Sequence, residues 1–359
     1  MSLLARYLFR EVTLYVLFTL AGLLGLYTFF DLITELSSLG KGGYRLIDAL
    51  IYVLLQIPSN GYELMPIAAL IGGIFALAAL SGQSELTVMR ASGVSIRRLL
   101  LWLLGIGIVY GALTVALGEY VAPAAKRMAN QYRLSATKAM LVGEFRSGVW
   151  VKDGKQIINI SEMLPDLTIL GIRIYEFGDG LTLTRMLEGD EGSYIDEGNW
   201  QLRGARETRF AAQDGGVKVQ AMPQTTWQTQ VSPEMLAVLL VEPAQMSARA
   251  LYSYIDHLSS NRQKTSRYEL ALWGKLFYPL ACISMLVIAL PFSQTQRRSS
   301  GTGLKLFAGI IVGLSFHFLN RIVIYLGELK NWPPPLVVSI PTVLFMLVAL
   351  VMLWRQEKR

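Results

Sequence analysis

The most chemically distinctive stretch of this sequence is a short polar segment between two long apolar runs. It begins at Ser81, ends at Arg98 and reads SGQSELTVMRASGVSIRR. A segment this short and polar cannot cross a bilayer, which takes about 20 apolar residues, so we interpret it as a turn between two membrane spans. Ser81 or Ser84 can cap a helix, Glu85 suits its first turn and Gly93 suits its end. The pattern predicts a short helix within residues 81–93.

Two functions fit such a helix. Leu86 and Met89 share one face, and Glu85 and Arg90 supply charge, so the helix could dock in a groove on a soluble partner through apolar anchors and a directed carboxylate. Alternatively, the two apolar side chains could dip into lipid while the arginines bind phosphate head groups. The residues alone leave both interpretations open.

The sequence offers little for catalysis. It lacks the G-x-x-x-x-G-K-[ST] phosphate-binding motif, so nucleotide energy would have to come from a partner. The two histidines, His257 and His317, form neither a zinc-type pair nor a nucleophile constellation. The single cysteine, Cys282, excludes an intramolecular disulfide. We expect no cofactor and no metal on this chain.

Composition and hydropathy indicate a membrane protein with a soluble insert. The chain is 53% hydrophobic and only 16% charged, with a net charge of +7. Its basic residues cluster at the ends of apolar runs, which favours membrane orientation over nucleic-acid binding. The apolar runs predict six spans, at 12–30, 46–80, 99–118, 276–292, 306–325 and 336–354.

Two spans contain residues that need explanation. Pro58 and Pro66 interrupt the second span, and they predict a bend with a water-facing segment around Ser59 and Asn60. In the fifth span, a charge near the membrane centre is costly, so Arg321 should face a cavity, form a pair or reach toward the nearer interface, and we favour the last.

The hydrophobic pattern changes between the third and fourth spans. From Val149 onward apolar residues alternate with polar ones, as at Trp200 and Leu202, which predicts strands with one apolar face. Turn sequences such as Asp153-Gly154 separate these strands. The chain is therefore predicted to be an α-helical membrane protein with six transmembrane helices and an inserted antiparallel β domain, an open sandwich or barrel, between spans three and four.

Charge predicts the orientation. With six spans, basic residues near both termini, in the 81–98 segment and in the linker 293–303 fall on one side. The positive-inside rule places that side in the cytoplasm. Both termini are then cytoplasmic, and the β domain lies on the far side of the membrane.

Three motifs carry a resemblance to a known family. SELTVMRASG, the run GEYVAP from Gly118 to Pro123 and the run WPPP from Trp332 to Pro335 are similar to the LptF/LptG permeases, the membrane subunits of the lipopolysaccharide exporter. GEYVAP resembles the LptG branch more than the LptF branch. The alternatives are an LptF-like paralogue or, from another class, a membrane enzyme that modifies lipid A or a polyprenyl lipid.

The resemblance implies a domain organisation and a set of partners. Residues 1–121 would form spans one to three with a cytosolic coupling helix at 81–93. Residues 122–268 would form a periplasmic β-jellyroll-like domain with flanking helical linkers, and residues 269–359 would form spans four to six. An LptF-like paralogue, an LptB-like ATPase dimer that binds ATP and Mg²⁺, and an LptC-like bridge protein are the implied partners in a bacterial inner membrane. Lipopolysaccharide would be the substrate, and this chain would be a transport subunit rather than an enzyme.

The resemblance also implies candidate sites. Glu85, Leu86, Met89 and Arg90 would contact the ATPase, and Gly309 and Gly313 would pack at a lateral gate, although such a pair also suits packing inside the chain's own bundle. Lipid A phosphates need cations at the periplasmic rim. Arg133 is the first candidate, followed by Lys41, Arg45, Lys126 and Arg127, and acidic residues Asp31 and Glu35 stand where family members can carry lysines on the first span.

Overall fold

A computed structural model describes residues 3–137, 148–164, 168–178, 180, 182–196, 198–210, 216–238, 242–294 and 302–357. In these ranges six helices are long and apolar enough to cross a membrane. The six predicted spans are therefore confirmed, and the chain is a multi-pass membrane protein. Three spans precede the inserted β domain and three follow it.

The first half of the bundle contains five helices. They are α1 (Leu3–Leu36), α2 (Leu46–Gly82), α3 (Glu85–Ala91), α4 (Ile96–Ala116) and α5 (Ala122–Thr137). A π-helical turn at Leu117–Val121 joins α4 to α5 without a break, so the third span continues into the polar segment that follows it. Helix α3 lies at one end of the bundle, called here the α3 end. The chain leaves for the sheet from the opposite end, called the sheet end.

Helix α2 is the central element of the bundle, and it runs through both of its prolines. Pro58 and Pro66 lie inside one helix of 37 residues. Ser59 and Asn60 are buried, each 8% exposed, so the predicted water-facing segment is wrong. Their polar groups bond within the protein instead: the Ser59 hydroxyl donates to the Ala122 carbonyl, and the Asn60 amide donates to Asp31. Neighbouring helices satisfy these polar groups, as burial in a bundle requires.

The inserted domain is one antiparallel sheet with strands in sequential order. The strands are β1 (Val149–Asp153), β2 (Gln156–Met163), β3 (Ile169–Phe177), β4 (Leu183–Asp196), β5 (Asn199–Phe210) and β6 (Val217–Gln228). The predicted antiparallel β domain is confirmed. The described strands form a meander of consecutive hairpins, and the predicted Asp153-Gly154 turn joins β1 to β2, with Gly154 at φ 57°.

The sheet curls around an apolar core. Ile158, Trp200, Leu202 and Trp227 from three different strands are buried in one cluster. The Trp227 indole donates a hydrogen bond to Gln156 at 3.0 Å, which brings the end of β6 against the start of β2. Strands β1 and β6 are the edges of the sheet, and the first half of β6 is exposed.

The chain returns to the membrane through short helices. Helices α6 (Pro233–Val238) and α7 (Ala248–Ser260) precede the last three spans, which are α8 (Ser266–Gln294), α9 (Thr302–Lys330) and α10 (Pro334–Glu357). Helix α8 packs with both α2 and α4, α9 packs with α2, and α10 packs with α8 and α9. Met285 and Leu286 of α8 are fully buried in the main core cluster of the bundle. Helix α1 contributes to this cluster only through its first half.

Candidate functional site

Helix α3 is built by local signals at both ends. Ser84 precedes it with a left-handed backbone at φ 61°, and its carbonyl accepts the first helical hydrogen bond from the Val88 amide. The Ser84 hydroxyl makes no capping hydrogen bond, so the predicted side-chain cap is wrong. Gly93, at φ 89°, ends the segment with a conformation that favours glycine. The Ser95 hydroxyl then caps α4 by accepting from the Arg98 amide. The predicted short helix is confirmed, with bounds inside the predicted 81–93.

The two predicted docking anchors of α3 face inward. Leu86 and Met89 are each 5% exposed and belong to the main core cluster of the bundle. Side chains that are buried in this chain's own core cannot fill a groove on a partner. The prediction that Leu86 and Met89 are groove-filling anchors is therefore wrong. They fasten α3 to the bundle instead. Val88, at 62% exposed, is the large apolar side chain that α3 presents outward.

The polar residues of α3 remain on its accessible side. Glu85 accepts a hydrogen bond from the Tyr7 hydroxyl at 2.8 Å through Oε2. Arg90 is exposed in the last turn of the helix, where a cation is favoured by the helix dipole. Glu85, Val88 and Arg90 together form a small surface with a carboxylate, an apolar side chain and a guanidinium. We call these three residues the α3 surface.

A second polar site lies at the sheet end of the bundle. Arg133 of α5 donates through Nε to Glu35 of α1 at 2.7 Å and through Nη2 to Ser38 at 3.3 Å. Its guanidinium also lies over the Tyr52 ring, 5.3 Å from the centroid. The Arg133 side chain is 42% exposed, whereas that of Glu35 is 8% exposed. One cation is thus held between three helical segments with one side open.

The other predicted phosphate ligands differ in their surroundings. The Lys126 ammonium donates to the Gln56 amide oxygen at 2.6 Å and is partly buried. Arg45 and Arg127 are exposed. The Lys41 side chain lies outside the described residues. The structure therefore brings Arg133 and Lys126 onto one helix facing α2, with Arg45 at the start of α2.

Tyrosines frame this second site. The Tyr132 hydroxyl donates to Asp48 at 2.7 Å, and the Arg45 amide donates to the same carboxylate at 2.9 Å. Tyr44, between α1 and α2, is 2% exposed. Burial, followed by the charge of the nearby Glu35, raises the pKa of the Tyr44 phenol. Tyr44 therefore stays neutral at physiological pH.

The glycine pair of the fifth span lies inside the chain's own bundle. An added Cβ at Gly309 would lie 2.9 Å from Ile74 Cδ1, and one at Gly313 would lie 3.3 Å from Ile67 Cγ2. Both glycines let α9 approach α2 of the same chain. The interpretation of the pair as a separable gate contact is therefore wrong for these two positions.

The GEYVAP run links the spans to the return path from the sheet, a role that sequence reasoning missed. An added Cβ at Gly118 would lie 2.4 Å from the Tyr62 ring, so only glycine fits there. The Gly118 carbonyl accepts from the Lys275 ammonium at 2.7 Å. The Glu119 carboxylate accepts from the Ala248 amide at 2.7 Å at the start of α7. The exposed amides of a helix start favour a carboxylate, so the motif ties three helices together.

Polar residues of the fifth span line a cavity of about 310 Å³. Its wall includes His317, Asn320 and Arg321 together with Glu63 and Tyr278 from α2 and α8. Arg321 therefore lies on a cavity wall, which is one of the three positions expected for it and not the favoured one. Among the residues that the structure describes, none form a group of three or more metal-ligating side chains.

Comparison with known proteins shows which family the chain belongs to. The model of the lipopolysaccharide export system permease LptF/LptG family matches residues 6–355. The chain belongs to this family. It is 30% identical over 357 residues to the lipopolysaccharide export system permease protein LptG of Escherichia coli strain K12, covering 99% of both chains. It is 29% identical over 350 residues to LptG of Haemophilus influenzae, covering 97% of this chain and 96% of that protein.

Family membership extends across both sites. The matched region includes the α3 surface, the Arg133 site and the inserted sheet. The similarity covers nearly the full length of the relatives, so it includes the first three spans, the sheet and the last three spans of this chain. The family is one of permease subunits, which agrees with the expectation of a transport protein.

Proposed function

We propose that this chain is the LptG-like permease subunit of an ATP-driven exporter that extracts lipopolysaccharide from the inner membrane and passes it toward the outer membrane. The observation that carries the proposal is the family match over residues 6–355. The similarity to relatives named LptG favours the LptG-like over the LptF-like assignment.

The proposed assembly has four kinds of component. An LptF-like paralogue completes the lipid cavity, an LptB-like ATPase dimer holds ATP and Mg²⁺, and an LptC-like protein continues the path from the β domains. The α3 end faces the cytoplasm with both termini, and the sheet faces the periplasm. The distribution of basic residues supports this orientation.

The α3 surface is the proposed ATPase contact. Glu85 provides a carboxylate for a cation on the ATPase, while Val88 and Arg90 complete the surface. Leu86 and Met89 do not contact the ATPase in this proposal, because they are buried in the bundle core. They transmit the movement of α3 to α2 and α4 instead of filling a groove on the partner.

The Arg133 site is the proposed contact for an acidic lipid head group. A guanidinium that is 42% exposed can bind phosphate with its free edge while Glu35 holds the other edge. Lys126, Arg127, Arg45 and Lys41 supply further positive charge around it. Acyl chains would lie against the exposed apolar face of α1 below this site.

Reconstitution tests this function. The chain is co-purified with its LptF-like and LptB-like partners, placed in liposomes containing lipopolysaccharide, and lipid transfer to a soluble acceptor is measured with ATP. We expect transfer that needs hydrolysable ATP and all three proteins. A complex with a hydrolysis-deficient ATPase is the control. Transfer that is equal in this control, or equal without the present chain, would overturn the proposal.

A further inference from the structure

Tyr7 connects the first span directly to α3. Its hydroxyl donates a hydrogen bond to Glu85 Oε2 at 2.8 Å, across 78 positions of sequence. The Tyr7 side chain is 37% exposed, so its ring is not a core element. A carboxylate accepts through both oxygens, so Glu85 can keep this bond while Oε1 binds a partner's cation.

Helix α1 is held along only part of its length. Ala5, Leu8, Val12 and Val16 are its buried apolar residues, and all lie in its first half. The apolar side chains beyond them include Phe18, at 83% exposed. Near its other end the partly buried Leu32 packs against Tyr52 and Val53 of α2. Two polar contacts also hold this end: the Asp31–Asn60 hydrogen bond at 2.7 Å and the Glu35–Arg133 ion pair at 2.7 Å.

Helix α1 crosses α2 closely at Val16, which is the last buried apolar residue of α1. An added Cβ at Gly72 would lie 2.5 Å from Val16 Cα, so the two backbones touch at this point. Tyr7 precedes Val16 by nine residues, about 13.5 Å of helix, and Glu35 follows it by nineteen, about 28 Å. A tilt about the crossing therefore moves the far end of α1 roughly twice as far as the near end.

We propose that Tyr7 is a positioning residue that links the ATPase-docking helix to α1, which tilts about the Val16–Gly72 crossing and opens or closes the Arg133–Glu35 site. The inference rests on the proposed function, because it needs an ATPase at α3. Movement of α3 pulls on the Tyr7 hydroxyl, and the continuous 34-residue helix carries the movement to Glu35. The polar contacts at the far end can exchange partners, whereas the packed crossing cannot.

The test uses the reconstituted complex with Tyr7→Phe, which keeps the ring and removes the hydroxyl. Spin labels replace Leu26 on α1 and Ile108 on α4, both exposed, and the native Cys282 is fully buried and stays unlabelled. Pulsed electron paramagnetic resonance distances are recorded without nucleotide and with ATP and vanadate. Lipid transferred per ATP is measured in parallel. Tyr252→Phe, which removes the same hydroxyl from an exposed tyrosine of α7 outside both proposed sites, is the control.

We expect Tyr7→Phe to reduce both the nucleotide-dependent distance change and the lipid transferred per ATP by about three- to tenfold, in the range for the net contribution of one ordinary hydrogen bond. Basal ATP hydrolysis should stay near the wild-type rate. Gly72→Ala displaces the crossing itself and should reduce the distance change while the Tyr7 hydroxyl is still present. Tyr252→Phe should match the wild type.

Three other outcomes would count against the inference. A Tyr7→Phe complex with wild-type distances and transfer would overturn it. So would a loss of basal hydrolysis in step with transfer, since Tyr7 would then serve docking alone. A wild-type complex that transfers no lipid with ATP would instead remove the proposed function, and the inference with it.

Discussion

Arg133 and Glu35 form an ion pair in which the acid is nearly buried and the base is half exposed, with Nε 2.7 Å from the carboxylate oxygen. An anionic ligand at this site must therefore compete with a carboxylate already present. Glu35→Gln removes the competing charge but keeps the shape, so we expect lipopolysaccharide to bind more tightly than in the wild type. Arg133→Ala should weaken binding by about tenfold, as for one charge-assisted contact. Both effects are measured as the yield of photo-crosslinking between the protein and lipopolysaccharide over a series of salt concentrations.

A matched variant at Arg127 distinguishes binding at the Arg133 site from general electrostatic attraction. Arg127 is also on α5 but exposed. Arg127→Ala removes the same charge from the same helix without breaking the Glu35 pair. If Arg127→Ala and Arg133→Ala weaken binding equally, general electrostatic attraction and not the built site accounts for the binding.

Glu85→Ala should reduce coupling to the ATPase. The substitution removes the one carboxylate of the α3 surface and leaves Leu86 and Met89 in the core. We therefore expect the chain to fold and assemble in part, while ATP-dependent lipid transfer falls by about tenfold or more. Gln83→Ala, in the exposed turn just before α3, is the control. Wild-type transfer by the Glu85→Ala complex would remove α3 from the coupling path.

Substitutions at Leu86 and Val88 should have different effects, the first on the stability of the chain and the second on binding of the ATPase. Leu86→Ala creates a cavity in the core and should lower the free energy of unfolding by about 2–5 kcal/mol. Val88→Asp changes an exposed side chain, so it should leave the thermal midpoint in detergent unchanged while it weakens co-purification of the ATPase. The opposite pattern would mean that α3 turns its other face to the partner when the complex forms.

Sequence patterns predicted the spans and the sheet because long apolar runs and strict alternation each have few structural solutions. They also predicted α3 and where it stops, since Gly93 is a strong local signal for the end of a helix. The inward face of α3 was not predictable in the same way: Leu86 and Met89 are apolar whether they meet a partner or the core. Periodicity identifies a face and does not identify what covers it.

Contacts between distant segments explain the other errors. The Gly309–Gly313 spacing indicates close helix packing, but which helix approaches depends on the position of α2, where Ile67 and Ile74 lie. Ser59 and Asn60 were expected to face water beside Pro58, yet partners 63 and 29 positions away bind them. The role of Glu119 likewise depends on a helix start 129 positions later.

Lowering the pH should reduce the stability of the sheet around Glu207. Hydrogen bonding from Arg209, together with the charge of Arg185, holds the pKa of this carboxyl below its usual range. A lowered folded pKa stabilises the native sheet above the unfolded value of about 4.3, and that stabilisation is lost as pH falls through the folded pKa. We expect Glu207→Gln to raise amide hydrogen exchange in β4 and β5 several-fold at pH 7, with a smaller difference from the wild type below about pH 4.

The control for this prediction is an exposed pair in the same two strands. Glu191 and Arg203 lie 3.5 Å apart with side chains 37% and 60% exposed. Exposed pairs contribute little to stability, so Glu191→Gln should leave exchange unchanged at both pH values. Equal effects of the two substitutions would show that sheet charge in general, and not the Arg185–Glu207–Arg209 cluster, controls exchange.

Two substitutions in the GEYVAP run should destabilise the protein in different ways. Gly118→Ala forces a Cβ to 2.4 Å from the Tyr62 ring, and such overpacking should lower the free energy of unfolding by about 1–3 kcal/mol. Glu119→Gln keeps the size of the side chain but weakens its bonds to the start of α7, so it should cost about 1 kcal/mol and increase hydrogen exchange at 248–251 alone. Exchange that rises throughout α7 and α8 in Glu119→Gln would instead mean that this carboxylate holds the whole return path onto the bundle.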